Sequence, residues 1–411
     1  MNTLVYMLNS PMPFKRKGLL ISWLTLASIL LFSSLLLTGC GQGTDDEEDE
    51  DEFNSEDIPT NIRKSKQPTA KDLFGGPREA QSDDPSGKNI VRETPALKAW
   101  NKAEELIDYS ERNPEYLNKA AKLLKTLLKT VENVSKAECQ GSVNDKDFIL
   151  GPCNQHAEIL SKISQVYYFK AELIEPDDAF QDKIDLFKKG IEIAEEAKEY
   201  NKHNIDVQLW YANNKGGWLS TMDALYPGDP AKWYNLSEGE INELSSAPRK
   251  IIGALKYALS LGRRSGDSDC ISNNEDKDDL GEVYVSLGHA YHKLPTDMIG
   301  FASKEDKLTE AKNCLRKADA LAAGKVDKTS YAVHGNKLQM PKFYLFALYS
   351  DDEKGTFSIP HAKHYAKNVK RIILNKNFRR KYPTTTRREM NGTAAEKHKD
   401  GILTFEQQYG Q

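Results

Sequence analysis

Tyr284-Val285-Ser286-Leu287-Gly288-His289-Ala290-Tyr291 is the most informative stretch of the chain for its fold. Tyr284, Leu287, Gly288 and Tyr291 follow one another at intervals of three, one and three. On a helix with 3.6 residues per turn that spacing places all four on one face. A glycine at the centre of such a face admits a second helix at close range, and the aromatics fill the space beside it. A partner stands downstream, where Ala311, Leu315 and Ala318 make another face of small and apolar residues. Two such helices cannot bury their apolar faces alone, so they read as one unit of a stack.

The same periodicity extends outward over most of the chain. Residues 96–109, 117–131, 156–173, 182–199, 247–262, 279–293, 307–322, 337–349 and 361–374 carry apolar side chains at three-four spacing. Strand-like alternation is scarce. The motif around Gly288 resembles the first helix of a tetratricopeptide repeat, and the face around Ala311 resembles the second. The connection between them is longer than that family's 34-residue unit allows, by about ten residues. Weaker matches surround it. Tyr167 and Ala171 precede Phe187, Gly190 and Ile191, and Trp100 precedes Ala120, Leu124 and Leu127. Ile251, Leu255 and Ala258 look like a second helix, and Ala362, Tyr365, Ala366 and Val369 like a closing one. The resemblance implies an all-α solenoid of helix pairs over residues 94–374, with a concave groove for a partner.

Residues 1–39 read as an address. Lys15-Arg16-Lys17 precedes an uncharged apolar run from Gly18 to Leu37, which ends in Leu37-Thr38-Gly39-Cys40. This resembles a bacterial lipoprotein signal peptide with its lipobox. The resemblance implies a diacylglyceryl group on the Cys40 thiol and cleavage before Cys40. Gly41, in place of an aspartate, implies the periplasmic face of the outer membrane. A plain membrane anchor is the alternative, since about 20 apolar residues can span a bilayer.

Asp45 to Glu52 is an unbroken acidic run, and residues 41–93 hold 15 acidic against 7 basic residues. With four prolines and few large apolar side chains, residues 40–93 are expected to be a disordered tether behind the lipidated cysteine. The charge reverses at the other end. Residues 361–399 hold 12 basic and 2 acidic residues, among them Arg371, Arg379, Arg380, Lys381, Arg387 and Arg388. Residues 375–411 are expected to be a basic tail able to meet an anionic partner. Export makes nucleic acid a poor candidate.

Beyond Cys40 four cysteines remain, which allow three pairings. We favour Cys139 with Cys153, closing a loop of about 15 residues worth about 3 kcal/mol on the chain-entropy account. Cys270 and Cys314 then pair with each other. Four free buried thiols are the alternative. No Cys-x₂-Cys spacing points to zinc. His289 and His292 stand three apart, as do His361 and His364, without any metalloenzyme pattern beside them.

The remaining candidate site is the stretch from Leu209 to Leu236. It concentrates Trp210, Tyr211, Trp218, Tyr226, Trp233 and Tyr234 with Asn213, Asn214, Gly216 and Gly217. Turn residues among aromatics suggest a loop folding back into the groove, with rings and amides suited to an organic solute. A plug of core aromatics is the bland alternative. A glycan hydrolase would need two facing carboxylates, and only Asp223 and Asp229 lie in this stretch. No phosphate loop, dinucleotide glycine pattern or nucleophile elbow occurs, so neither catalytic residue nor cofactor is assigned.

The expected function is a membrane-anchored scaffold that holds a protein partner in the cell envelope. A second expectation is a solute-binding accessory lipoprotein. Ala258-Leu259-Ser260-Leu261-Gly262-Arg263-Arg264 and the helix pair after it loosely resemble the T-component of some periplasmic-binding-protein-dependent transporters.

Overall fold

The computed structural model describes residues 70–75, 94–108, 113–141, 151–174, 179–225, 236–263, 268–271, 280–324, 335–351, 357–374 and 402–409. It is an all-α, solenoid-like stack. The helices are α1 (Ala70–Phe74), α2 (Pro95–Asp108), α3 (Pro114–Leu128), α4 (Lys136–Gly141), α5 (Pro152–Glu172), α6 (Phe180–Asn201) and α7 (Ile205–Leu225). They continue with α8 (Glu238–Leu261), α9 (Gly281–Lys293), α10 (Lys304–Gly324), α11 (Gly335–Ser350), α12 (Ile359–Leu374) and α13 (residues 402–409). Five pairs follow along the chain: α2 with α3, α5 with α6, α7 with α8, α9 with α10, and α11 with α12. Each second helix also packs on the first helix of the next pair. The first helices α5, α7, α9 and α11 touch in succession.

Local chemistry explains the starts of these helices. Asn113 accepts a hydrogen bond from the Tyr116 backbone N–H at 2.9 Å, and Pro114 supplies the preset φ of a first turn. Ser237 and Glu240 form a reciprocal capping box, which sets the start of α8 at Glu238. The three-four spacing marked this helix only from residue 247, yet it starts at Glu238 and runs through Pro248. The Gly288 face behaves as its sequence implies: a Cβ there would lie 2.8 Å from Leu315 Cγ. The long α9–α10 connection is pinned by Lys307 Nζ, which donates to the Leu294 carbonyl at 2.5 Å, and it turns through Gly300 at φ +74°.

Three expectations are corrected. Trp210 to Trp218 belong to helix α7, not to a loop. Trp210, Tyr211, Asn214, Gly216, Gly217 and Trp218 are all buried in it. A helix covered on nearly every side keeps only a narrow polar stripe, here Asp206, Asn213 and Ser220, so the three-four signal fades, and its asparagines and glycines mimic a turn. Here the glycines serve packing, since a Cβ on Gly217 would collide with the Phe187 ring. With α7 in place, Ile251, Leu255 and Ala258 of α8 gain the first helix they lacked.

The folded part also begins before residue 94. Leu73 and Phe74 of α1 are buried, and Phe74 stacks on Trp100 with ring centroids 4.9 Å apart. Gln155 Nε2 donates to the Leu73 carbonyl at 2.7 Å. So Ala70–Phe74 is not tether.

Nor is the whole of residues 375–411 a tail. Ile402 and Phe405 of α13 are buried, Phe405 meets Phe346 edge-on at 5.5 Å, and Lys370 pairs with Glu406 at 2.7 Å. Short flanking helices thus cover both ends of the stack. A solenoid needs this, because its terminal repeats otherwise expose core.

Both favoured disulfides are present. Cys139 and Cys153 join α4 to α5 with Cα atoms 5.5 Å apart, and Cys270 joins Cys314 of α10 at 4.9 Å. Among the described residues no helix is long and apolar enough to cross a membrane. Cys40 and the leader lie outside the described residues.

Candidate functional site

A cavity of about 180 Å³ opens where the first helices of four successive pairs converge. Tyr168 and Phe169 come from α5, and Trp210, Asn213 and Ser220 from α7. Val285, Ser286 and His289 come from α9, together with the charged Glu282 and Lys293, Tyr344 comes from α11, and Ile251 and Leu255 of α8 also line it. In a straight stack α5 and α11 would stand roughly 25–30 Å apart, at 8–10 Å per helix spacing. That both reach one small cavity means the row of first helices curls inward there.

The walls are aromatic. Trp210 meets Tyr168 at 5.7 Å and Phe169 at 5.6 Å between ring centroids, in tilted and edge-on geometry. Tyr344 meets His289 edge-on at 4.1 Å. Burial pushes the Tyr168 hydroxyl well above its usual pKa, with Glu172 and Tyr344 adding to the rise. The Tyr344 hydroxyl is raised for the same first reason, with Glu172 second. Both phenols therefore stay neutral. The arrangement can stack on a ring and exclude water.

The structure divides the aromatic candidates. Trp210 and Asn213 line the cavity. Tyr211, Asn214 and Trp218 are core residues instead. Lys198 Nζ sits 3.2 Å above the Tyr211 ring. Asn214 Nδ2 donates to Ser164 Oγ at 3.0 Å and to the Trp210 carbonyl at 2.9 Å. Trp218 is 2% exposed. Tyr226, Trp233 and Tyr234 lie outside the described residues, as do Asp229, Arg379, Arg380, Lys381, Arg387 and Arg388. Sequence reasoning missed Tyr168, Phe169, His289 and Tyr344 as lining residues. Their only signal was aromatic character on first helices, which core packing also produces.

The histidines do not converge. His289 faces the cavity, whereas His292 Nε2 lies 3.3 Å from Asp351 Oδ2. His361 stacks on Tyr349 at 4.8 Å. Among the described residues Cys270, Glu310 and Cys314 come close enough to hold a metal, but both sulfurs are spent on the disulfide.

Two buried carboxyls stand out elsewhere. Burial raises Asp223 to about 7, and its Oδ2 has no hydrogen-bond partner among the described residues. Burial raises Glu158 to about 8, helped by Asp206 and opposed by the Asn204 hydrogen bond. Asn204 Nδ2 donates to Glu158 Oε1 at 2.9 Å and to Asn154 Oδ1 at 3.1 Å, which fixes the tight α6–α7 turn onto α5.

No family model, curated protein or solved structure matches the chain.

Proposed function

We propose that the protein is a lipid-anchored scaffold of the cell envelope that holds a protein partner against the inner row of its helix pairs. The observation that carries this reading is the aromatic cavity shared by α5, α7, α9 and α11. Successive first helices of a solenoid present such a surface, and a fold alone would not supply the pocket. The helix pairs resemble tetratricopeptide repeats in their small-residue faces.

The anchor belongs to the same proposal. Acyl chains on Cys40 hold the chain to the periplasmic face of the outer membrane, each buried CH₂ adding about 0.8 kcal/mol. About 30 residues separate Cys40 from α1. We assign no reaction and no cofactor to the protein.

Two measurements test this. Cys40→Ser should shift the protein from the membrane to the soluble fraction and remove the acyl mass seen in the wild type. Deleting residues 94–374 while keeping the anchor should abolish co-purification of the partner; unchanged recovery would refute the scaffold.

A solute-binding accessory lipoprotein is the second reading, favoured by the position of Trp210 in the cavity wall. A change of tryptophan fluorescence with small solutes that carry no aromatic ring supports it, and a flat response to them supports the scaffold.

A further inference from the structure

We infer that the cavity receives one aromatic side chain, a phenyl or phenol ring, carried by an extended segment of the partner protein. This deepens the scaffold reading and rests on it.

Size is the first argument. A dry apolar cavity of about 150 Å³ accepts benzene, whereas the pockets that take drug-sized ligands measure roughly 300–1,000 Å³. At about 180 Å³ the cavity seats one substituted ring, and its open side admits the chain that carries it.

The walls are the second. Ring pairs prefer offset or edge-to-face contacts with centroids 4.5–7 Å apart. Trp210 already makes two such contacts, and Tyr344 meets His289 edge-on. An entering ring continues this pattern, which an aliphatic side chain cannot do.

Glu282 and Lys293 also reach the lining from α9, and its neutral polar groups separate a peptide from a free arene. Asn213, Ser220 and Ser286 line the cavity, are only partly buried, and have no side-chain hydrogen-bond partner among the described residues. An amide with two donors of its own and two hydroxyls suits the N–H and C=O groups that flank a side chain in an extended backbone. A bare ring would leave them to water. Main-chain bonding of this kind favours the peptide by about tenfold.

The test uses the purified full chain and small probes in saturation-transfer NMR titrations. N-acetyl-phenylalanine amide and N-acetyl-tyrosine amide should bind, and N-acetyl-alanine amide should not. p-Cresol should bind about tenfold more weakly than N-acetyl-tyrosine amide. Asn213→Ala, on a partly exposed side chain, should bring the two closer together. Val285→Trp should fill the cavity and abolish binding without lowering the melting temperature; if it does not fold, Asn213→Ala decides alone.

Equal binding of the alanine derivative, or no aromatic binding to folded protein, overturns the inference. p-Cresol binding as tightly as the tyrosine derivative also overturns it and assigns the cavity to a free aromatic solute. Loss of partner capture in Val285→Trp, with no probe binding to the wild type, sinks the ring and spares the scaffold. Probe binding with partner capture untouched by Val285→Trp sinks the scaffold at this surface.

Discussion

Arg263 donates from Nε to the Tyr284 hydroxyl at 3.1 Å, and neither side chain is exposed to solvent. Its Nη1 reaches the Asp269 carbonyl, so one guanidinium joins the end of α8, the start of α9 and the segment leading to Cys270. A buried cation stays only where its donors are used.

Tyr284→Phe removes that acceptor and leaves the guanidinium partly unpaired. We expect a loss of about 2–3 kcal/mol, read as a lower urea midpoint with an unchanged slope. Arg263→Lys should cost a similar amount, because an ammonium cannot reach both partners in the planar fork of arginine.

Gly190 leaves the space that Asn214 fills. A Cβ at that position would fall within the envelope of the Asn214 side chain, which is itself held by Ser164. The Gly190 carbonyl accepts from Ser164 Oγ at 2.8 Å, so three helices meet at this point. Gly190→Ala should destabilise by roughly 1–3 kcal/mol despite its better helix propensity. A rise in melting temperature would show that the contact is slack.

Glu158 gives the stability a pH dependence of known sign. Its folded pKa, about 8, lies above the ordinary glutamate value of 4.5, so the folded state holds the proton more tightly. This contribution is complete below pH 4.5 and is lost as pH rises through the window to about 8. Glu158→Gln keeps an acceptor for Asn204 and removes the ionisation. The variant should exceed the wild type by roughly 2–4 kcal/mol at pH 9 and lose the advantage near pH 4. Thermal unfolding of both across that range checks it; parallel curves would refute it.

The disulfides differ in what they close. Cys139 and Cys153 are 14 residues apart, while Cys270 and Cys314 are 44 apart. On the chain-entropy account the longer loop stabilises more, by somewhat under 1 kcal/mol over a base of about 3 kcal/mol. Replacing both cysteines of each pair by serine should lower the melting temperature more for Cys270 and Cys314. The reverse order would mean that native contacts of α4, rather than chain entropy, dominate.

How far the fold could be read depended on each helix having one wet side. Helices such as α3 and α12 keep a polar face, so their apolar residues repeat at three-four spacing and announce themselves. Helix α7 lies against α5, α6, α8 and α9 and keeps only a narrow stripe of that kind at Asp206, Asn213 and Ser220. Its Asn214 and Gly217 look like turn residues in sequence and act as packing residues in space. Helices α1 and α13 were missed for another reason. Too short to show a period, they are held by single anchors such as Phe74 and Phe405.

Sequence by itself determined the helical class, most of the pairing and the favoured cysteine partners. Those features arise from neighbours a few residues apart, or from small residues that any close helix pair requires. The aromatic cavity was decided only by the tertiary structure. Tyr168, Trp210, His289 and Tyr344 are spread over four helices, and no local spacing relates them. They share one wall because the row of first helices curls, and that curvature is the sum of many small packing rotations that no single segment records.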